Sequence, residues 1–453
     1  MRGMSLYATL WQKVLEPRWE RGKLLPQLAG FLAQSQYWSP ARLADLQWEK
    51  LGALLTHARD QVPFYREFFA ASQLTVADIV AARDLSPLPV VTRAQLMERP
   101  EHFRADPPPP GTFQKVTGGS SGEPLAFLVS GLSDQWRNAV KRRGYAWAGA
   151  VNGRHTVLLW GTDIHNPPLK TRLKHKAHLW LLRARHVNNF ELTEEKLAGL
   201  TRLIDRFRPR VIVAFTSSAE ILAHYAVDTA WRPAYPLDAV LVGAEKLHDP
   251  ARRLMEKALG CPVYESYGSR EFMLMGMECH LHRGLHVSAE NLFLELVRDG
   301  RPAAPGESGQ VLVTDLHNYA QPFIRYQNGD LAAWAAGECP CGRGLPCLER
   351  VDGRELDLIR GLDGRPLTGA FFPHLMKEYP AVKLFQAVQE APGRLELRIV
   401  PQGELDQAAR ADILAQIDRV LPGLRVNLRE VAELEKNASG KVRVTIGLPG
   451  TGL

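Results

Sequence analysis

The chain has 453 residues, 45% of them hydrophobic and 23% charged, a balance that can bury a large core and excludes a mainly disordered protein. At about 150 residues per domain, this length argues for two to three domains. The net charge of +7 suits anionic small molecules, an acidic membrane surface or nucleic acid without choosing among them.

Over the first hundred residues, Trp11, Val14 and Leu15, then Leu43, Leu46, Trp48, Leu51, Leu54 and Leu55, recur at three- and four-residue spacings and predict helices. Pro63 interrupts them. Pro107 to Pro110 forms a stiff connection. The apolar runs Thr156 to Trp160, Val211 to Phe215 and Ala239 to Val242 read as strands, separated by helical patterns such as Leu192 to Phe207 and Asp249 to Leu259. That alternation predicts an α/β sheet with parallel strands. From about Val287 the strands shorten and crowd, at Phe293 to Val297 and Gln310 to Thr314, which predicts a β-rich subdomain. Beyond a charged, glycine-punctuated linker at Gly353 to Gly361, the strands Leu395 to Val400, Leu424 to Val431 and Val442 to Ile446 and the helix Gln407 to Val420 predict a small α+β unit.

No run approaches the roughly 18 apolar residues that a spanning helix needs. The start, Met1 to Trp11, meets Gln12 and Lys13 too soon for a signal peptide, so a cytoplasmic protein is expected. Five cysteines do not make a disulfide framework. No nucleic-acid-binding module is legible, and nucleic acid is rejected as a partner.

The sharpest local motif is Thr117-Gly118-Gly119-Ser120-Ser121-Gly122-Glu123-Pro124. Its glycines let backbone amides approach a ligand and its hydroxyls donate, as a phosphate cradle requires, although a plain Gly/Ser surface turn has the same composition. Gly243-Ala244-Glu245 follows a strand, where nucleotide-edge loops sit. Three more segments come in order: Tyr267-Gly268-Ser269-Arg270-Glu271, Arg325-Tyr326-Gln327-Asn328-Gly329-Asp330 and Gly353-Arg354-Glu355-Leu356-Asp357, and Asn437 to Arg443 nearly closes the chain. As an ordered series these motifs resemble the adenylate-forming superfamily, in particular its phenylacetate-CoA ligase and CapK-like branch, from about Val62 to Arg443.

That resemblance implies a large N-terminal domain, 1–352, with parallel-rich sheets and a β-rich subdomain, and a small mobile α+β lid, 353–453. It implies that ATP is bound by Thr117, Ser120, Ser121 and Gly122 around the phosphates, Gly243, Ala244, Glu245, Tyr267, Gly268 and Ser269 around adenine, and Asp330 on the ribose. Arg354 would approach the ribose or phosphates. Glu271 would hold Mg²⁺, a hard cation suited to carboxylate oxygen. Asp357 would be the hinge, and Lys441 would bridge the attacking carboxylate and the α-phosphate. Trp136 and Phe215 would line the acyl pocket, with core packing the other reading of Trp136. Two departures stand out: Glu123 lies where family loops often carry lysine, and Lys246 and Leu247 replace a common Pro-Trp pair.

Cys279, His280, His282, His286, Cys339, Cys341 and Cys347 cluster in sequence, and cysteines with histidine make closed zinc sites. Similarity to zinc-holding branch members implies Cys279, His286, Cys339 and Cys341 as ligands, with His282 or Cys347 as substitutes. Lys170 to Trp180 is strongly basic with interleaved apolar residues, a pattern for coenzyme A phosphates, an acidic membrane or a solvated helix face. The implied reaction joins an aryl or arylacetic acid to coenzyme A through an acyl-adenylate. An amine or hydroxyl acceptor and a non-catalytic nucleotide-binding scaffold are the rivals, and a homodimer is a further expectation.

Overall fold

The computed structural model describes residues 6–16, 24–117, 125–160, 169–187, 192, 194–354, 359–362, 366–367, 371–376, 378–379, 381–435 and 444–448. Ser120, Ser121, Gly122, Asp357 and Lys441 lie outside the described residues, as does the side chain of Arg354. A hairpin of β1 (Phe113–Val116) and β2 (Ala126–Val129) precedes the main sheet. That sheet contains β3 (Thr156–Leu159), β4 (Ala184–Val187), β5 (Val211–Phe215), β6 (Ala239–Gly243), β7 (Val263–Ser269), β8 (Met273–Glu278), β9 (Leu285–Val287), β10 (Leu292–Arg298), β11 (Arg301–Pro302), β12 (Ser308–Asp315), β13 (Tyr326–Trp334) and β14 (Cys347–Arg354). Its order is β11-β10-β12-β13-β14-β9-β8-β7-β6-β5-β3-β4.

Strands β3 to β7 pair in parallel. Strands β3, β5 and β6 at the centre of this array are mostly buried β-branched and aliphatic runs, as parallel strands covered by helices must be. Helices Glu194–Phe207, Thr216–Asp228 and Asp249–Leu259 supply the cover through Leu197, Leu200, Ile204, Leu222, Ala226 and Met255. At β7 the pairing turns antiparallel, and it stays so through β8, β9, β14, β13, β12 and β10. The crowded strands of the expected β-rich subdomain continue the parallel sheet, with β7 as the seam. The antiparallel part starts at Met273, earlier than the expected Val287, because Met-Leu-Met-Gly-Met-Glu lacks the β-branched residues that mark a strand.

The antiparallel half does not lie flat. Four strand spacings separate β7 from β13, roughly 19 Å at about 4.8 Å each, yet the Tyr267 hydroxyl on β7 lies 2.7 Å from the Asp330 carboxylate on β13. The sheet must curl back on itself. Register shifts at Tyr267/Gly268 and along β13/β14 supply bends, and β9 joins β14 through only two residue pairs.

The inside of this curl is filled by helices Pro40–Gln61 and Pro63–Ser72, whose Leu51, Leu54, Leu55 and Tyr65 pack with Val311, Val313, Phe323 and Tyr326. Pro63 divides the two helices: Val62 before it is extended, as a pre-proline residue prefers, and Pro63 starts the next helix. The C-terminal segment forms the short pair β15 (Ile359–Arg360) and β16 (Pro366–Leu367) and a second sheet of β17 (Val382–Ala391), β18 (Arg394–Pro401), β19 (Arg425–Glu430) and β20 (Thr445–Ile446), in the order β19-β18-β17-β20. Helix Gln407–Val420 packs there with Leu395, Leu397 and Ile399 in an apolar cluster of its own. Among the described residues no helix is long and apolar enough to cross a membrane.

One buried ion pair locks the helix Gly131–Trp147 to the end of β12. Arg137 and Asp315 are both fully buried and meet at 2.7 Å, and Asp315 also accepts from the Ser133 hydroxyl and the His317 amide. Removing one partner leaves an uncompensated buried charge. Asp315→Ala is therefore expected to cost about 3–5 kcal/mol, read as a lowered urea midpoint. An unchanged midpoint would show that the pair carries no stability.

Candidate active site

The carboxyl ends of β5 and β6 line up, since Phe215 pairs with Gly243, and β7 runs on past them from the Val242–Glu265 pair to Ser269. Loops at this edge of a parallel sheet are where ligands bind. Gly243 closes β6 where nothing larger fits, because an added Cβ would lie 2.4 Å from the Ser266 hydroxyl. Ala244 takes a positive φ of 67°, and the Glu245 carbonyl accepts from the Thr216 hydroxyl, so the Gly243-Ala244-Glu245 turn is held in shape. Phe215 meets Trp160 edge to face at 4.5 Å beside it.

Tyr267 and Asp330 form the centre of the site. The tyrosine hydroxyl donates to Asp330 Oδ2 at 2.7 Å, while Asn328 Nδ2 donates to both the hydroxyl and Oδ2, at 2.9 and 2.8 Å. The Asn328 Oδ1 in turn accepts from the Asp330 amide. These bonds fix the tyrosine ring and the carboxylate relative to each other. Arg354 stands directly across the β13/β14 ladder from Asp330. Gly268 sits at the β7/β8 bulge, where an added Cβ would lie 1.9 Å from the Met273 carbonyl, and the Ser269 hydroxyl accepts from the Phe272 amide, shaping the turn that carries Glu271.

Thr117 closes the neck of the glycine-rich loop: its amide donates to the Leu125 carbonyl at 2.9 Å and its hydroxyl accepts from the Leu125 amide at 2.8 Å. Sequence reasoning missed Arg93. It opens the short helix Arg93–Glu98, capped by Thr92 and Gln95, and its guanidinium reaches Thr117 Oγ1 at 3.2 Å and Glu271 at 3.7 Å. A cation thus stands at the loop whose own sequence carries Glu123 instead of lysine. Only the Thr-x-x-Gln cap was visible in the sequence. What places Arg93 is the bridge of Val91 to Tyr326, reinforced by Arg325, which donates to the carbonyls of Ser86 and Leu88 and pairs with Glu295. Arg270 adds a bond to the Val116 carbonyl at the same neck.

Trp136 does not join this cluster. It stacks on His317 at 4.0 Å and meets Phe31 edge to face, inside an apolar cluster with Leu25, Leu28 and Leu32.

A second group lies on the antiparallel half. Ligand atoms of Cys279, His286, Cys339 and Cys341 all fall within 4.8 Å of one another. Cys279 Sγ lies 3.8 Å from Cys339 Sγ, and Cys341 Sγ 3.3 Å from His286 Nε2. His286 Nδ1 faces the Leu345 carbonyl, leaving Nε2 toward the thiols, as metal-binding histidines are commonly oriented. Burial pushes the Cys279 thiol up to about 12 and the His286 imidazole down to about 4. At Cys341, burial is outweighed by hydrogen bonds from Arg343 and the neighbouring thiols, and the thiol falls below its usual range. Three thiols and an imidazole converging in this way fit a closed tetrahedral zinc site. The substitutes point elsewhere: His282 bonds Glu278 and Arg252, and the Cys347 thiol faces the carbonyls of Arg283 and Leu348.

No family model matches the chain. It is 25% identical to the phenylacetate-coenzyme A ligase of Thermus thermophilus over 425 residues, 90% of this chain and 93% of that protein. To the Escherichia coli phenylacetate-coenzyme A ligase it is 28% identical over 338 residues, 72% and 74% of the two chains, and to protein CapK of Staphylococcus aureus 22% identical over 295 residues, 64% and 62%. Among solved structures, 2-hydroxyisobutyryl-CoA ligase in the postadenylation state superposes with a TM-score of 0.67 at 20% identity, covering 92% of each chain. The o-succinylbenzoate coenzyme A synthetase of Bacillus subtilis with ATP and magnesium gives 0.53 at 16% identity, covering 73% and 68%. The fold is that of the adenylate-forming enzymes. In sequence the chain is similar to phenylacetate-coenzyme A ligases and to protein CapK.

Behind the strand ends, Glu265 accepts from the Leu247 amide. Burial pushes its carboxyl up to about 7 against the lowering effect of that bond. Between the ordinary carboxylate range and about 7 the folded protein keeps a proton that the unfolded chain has released, so stability falls as pH rises through that window. Glu265→Gln is expected to raise stability by roughly 1–3 kcal/mol at pH ~8 and by almost nothing at pH ~4.5. Urea midpoints at both pH values check this, and a gain independent of pH would contradict it.

Proposed function

We propose that this chain is an ATP-dependent acid-thiol ligase that adenylates a carboxylic acid and passes the acyl group to coenzyme A. The observation that carries the reading is the Tyr267, Asn328 and Asp330 cluster at the carboxyl edge of an adenylate-forming sheet, with Thr117, Glu271 and Arg93 beside it. Similarity to the phenylacetate-coenzyme A ligase of Thermus thermophilus over nine tenths of the chain supports an aryl or arylacetic acid as substrate.

In the first half-reaction an acid oxygen attacks the α-phosphorus of ATP, and the bond from that phosphorus to the oxygen bridging the α- and β-phosphates breaks to release pyrophosphate. Negative charge builds on the phosphate oxygens, so cations aimed there do most of the work. Arg93 and Lys441 fill that role, with Lys441 carried by the C-terminal segment 353–453 to the nucleotide held by 1–352, turning about Asp357. Asp330 holds the ribose hydroxyls with an ionised carboxylate, Tyr267 gives adenine a fixed aromatic face, and the Gly243-Ala244-Glu245 turn borders it. Glu271 would hold Mg²⁺, which neutralises phosphate charge when bound. In the second half-reaction the coenzyme sulfur attacks the acyl carbonyl, the carbonyl–phosphate bond breaks, AMP leaves and the thiol proton passes to solvent. The mixed anhydride is already activated, so orientation of the thiol suffices.

Cys279, His286, Cys339 and Cys341 would hold one zinc ion, which would tie the β8–β9 turn to the loop before β14 without entering the reaction.

Pyrophosphate release from MgATP, measured over a panel of aryl, arylacetic and fatty acids with and without coenzyme A, tests the function. Acid-dependent release with a thioester product is expected. Release indifferent to coenzyme A would move the acceptor to an amine or hydroxyl, and silence together with no ATP binding would end the ligase reading. Lys441→Ala is expected to slow adenylation by about a hundredfold or more and to spare thioester formation from pre-made acyl-AMP; equal loss of both would contradict its role. Elemental analysis should find about one zinc per chain, absent from Cys341→Ser, and a stable metal-free wild-type protein would refute the site.

A further inference from the structure

We propose that helix Leu169–Leu181, together with the turn Leu6–Leu10 beside it, docks this protein on an anionic lipid surface. The helix reads Leu-Lys-Thr-Arg-Leu-Lys-His-Lys-Ala-His-Leu-Trp-Leu and has no acidic residue. A surface helix of a globular protein normally buries an apolar stripe. This one buries none of residues 170–181, and 170–178 are all exposed.

Its exposed residues are nonetheless ordered by type. Leu173, Ala177 and Trp180 recur at helical spacing on one face. Leu173 is 58% exposed, and Trp180, at 66%, is the one exposed tryptophan among the described residues. At 100° per residue, Lys170 and Lys174 flank that stripe on one side and Arg172 and Lys176 on the other. An apolar stripe between two cationic flanks is the pattern of a helix lying in a membrane interface, with Trp and Leu below the headgroups and long basic side chains reaching back to them. Four Lys and Arg residues on such a helix match the clusters that recognise anionic lipids. A coenzyme phosphate or a nucleic acid would use the cations but has no need of exposed Leu173 and Trp180.

The element is fixed to the body. The Tyr7 hydroxyl donates to the Leu181 carbonyl at 2.8 Å, the Arg183 guanidinium stacks 3.8 Å above the Tyr7 ring, and the chain then enters β4 at the edge of the main sheet. The adjoining turn exposes Leu6 and Leu10. This proposal does not depend on the ligase reading.

Flotation of the full chain with phosphatidylcholine vesicles, plain or mixed with phosphatidylglycerol, tests it. Binding to the mixed vesicles alone is expected, weakening with salt. Replacing Lys170, Arg172, Lys174 and Lys176 by Gln should lower partitioning at least about a hundredfold, and Leu173→Ser with Trp180→Ser about tenfold or more, both with near wild-type melting midpoints because these residues are exposed. No binding to anionic vesicles at low salt would overturn the proposal. So would vesicle binding indifferent to either set of changes, or a raised KM for coenzyme A or lost RNA retention in the Gln variant without any loss of vesicle binding.

Discussion

The curl of one continuous sheet is the constraint on which the site depends. Tyr267 leaves the last parallel strand and Asp330 sits on an antiparallel strand four positions away, so a flat sheet would hold them far beyond bonding range. Their 2.7 Å contact therefore measures the bend. The bend is stabilised from inside by the apolar helices Pro40–Gln61 and Pro63–Ser72 and permitted by the short β9/β14 join. The Cys279, His286, Cys339 and Cys341 cluster lies on this same join, where Cys347 pairs with His286 across the ladder. A metal clip at that point would fix the curvature that the Tyr267–Asp330 contact requires.

Electrostatics follows from the same geometry. Thr117, Glu271 and Arg93 meet because the Val91 bridge to Tyr326 and the Arg325 clamp carry an N-terminal segment onto β13. The arginine that opens the Arg-Tyr-Gln-Asn-Gly-Asp motif, Arg325, thus serves architecture, while its asparagine and aspartate face Tyr267. A buried arginine satisfied by two carbonyls and a carboxylate is costly to disturb, so the position of Arg93 is set by the fold and not by its own short helix.

The parallel strands were legible because Val211 to Phe215 and Ala239 to Val242 are uninterrupted buried runs between periodic helices. Strand β8 was not, since its methionines and glycine carry no strand signal, and neither was β4, whose Ala-Arg-His-Val reads as part of a basic segment. At the site, the motifs mark Tyr267 and Asp330 separately, but no spacing reveals that they touch. Arg93 was invisible for the same reason: its neighbours come from a contact of high sequence separation. Cysteine spacing left Cys347 and His282 as alternatives, and only the β9/β14 register and the Glu278 network turn them away. Ser120, Ser121, Gly122, Asp357 and Lys441 were named from motifs and lie outside the described residues.

Calorimetric binding of AMP to the wild-type chain and to Asp330→Ala tests the Tyr267–Asp330 junction as the nucleotide seat most directly. The wild type should bind one AMP, and the variant, losing charge-assisted hydrogen bonds to the ribose together with the bond that holds Tyr267, should bind roughly a hundredfold more weakly. Equal affinity in the two proteins would contradict the assignment and move the nucleotide away from the curl.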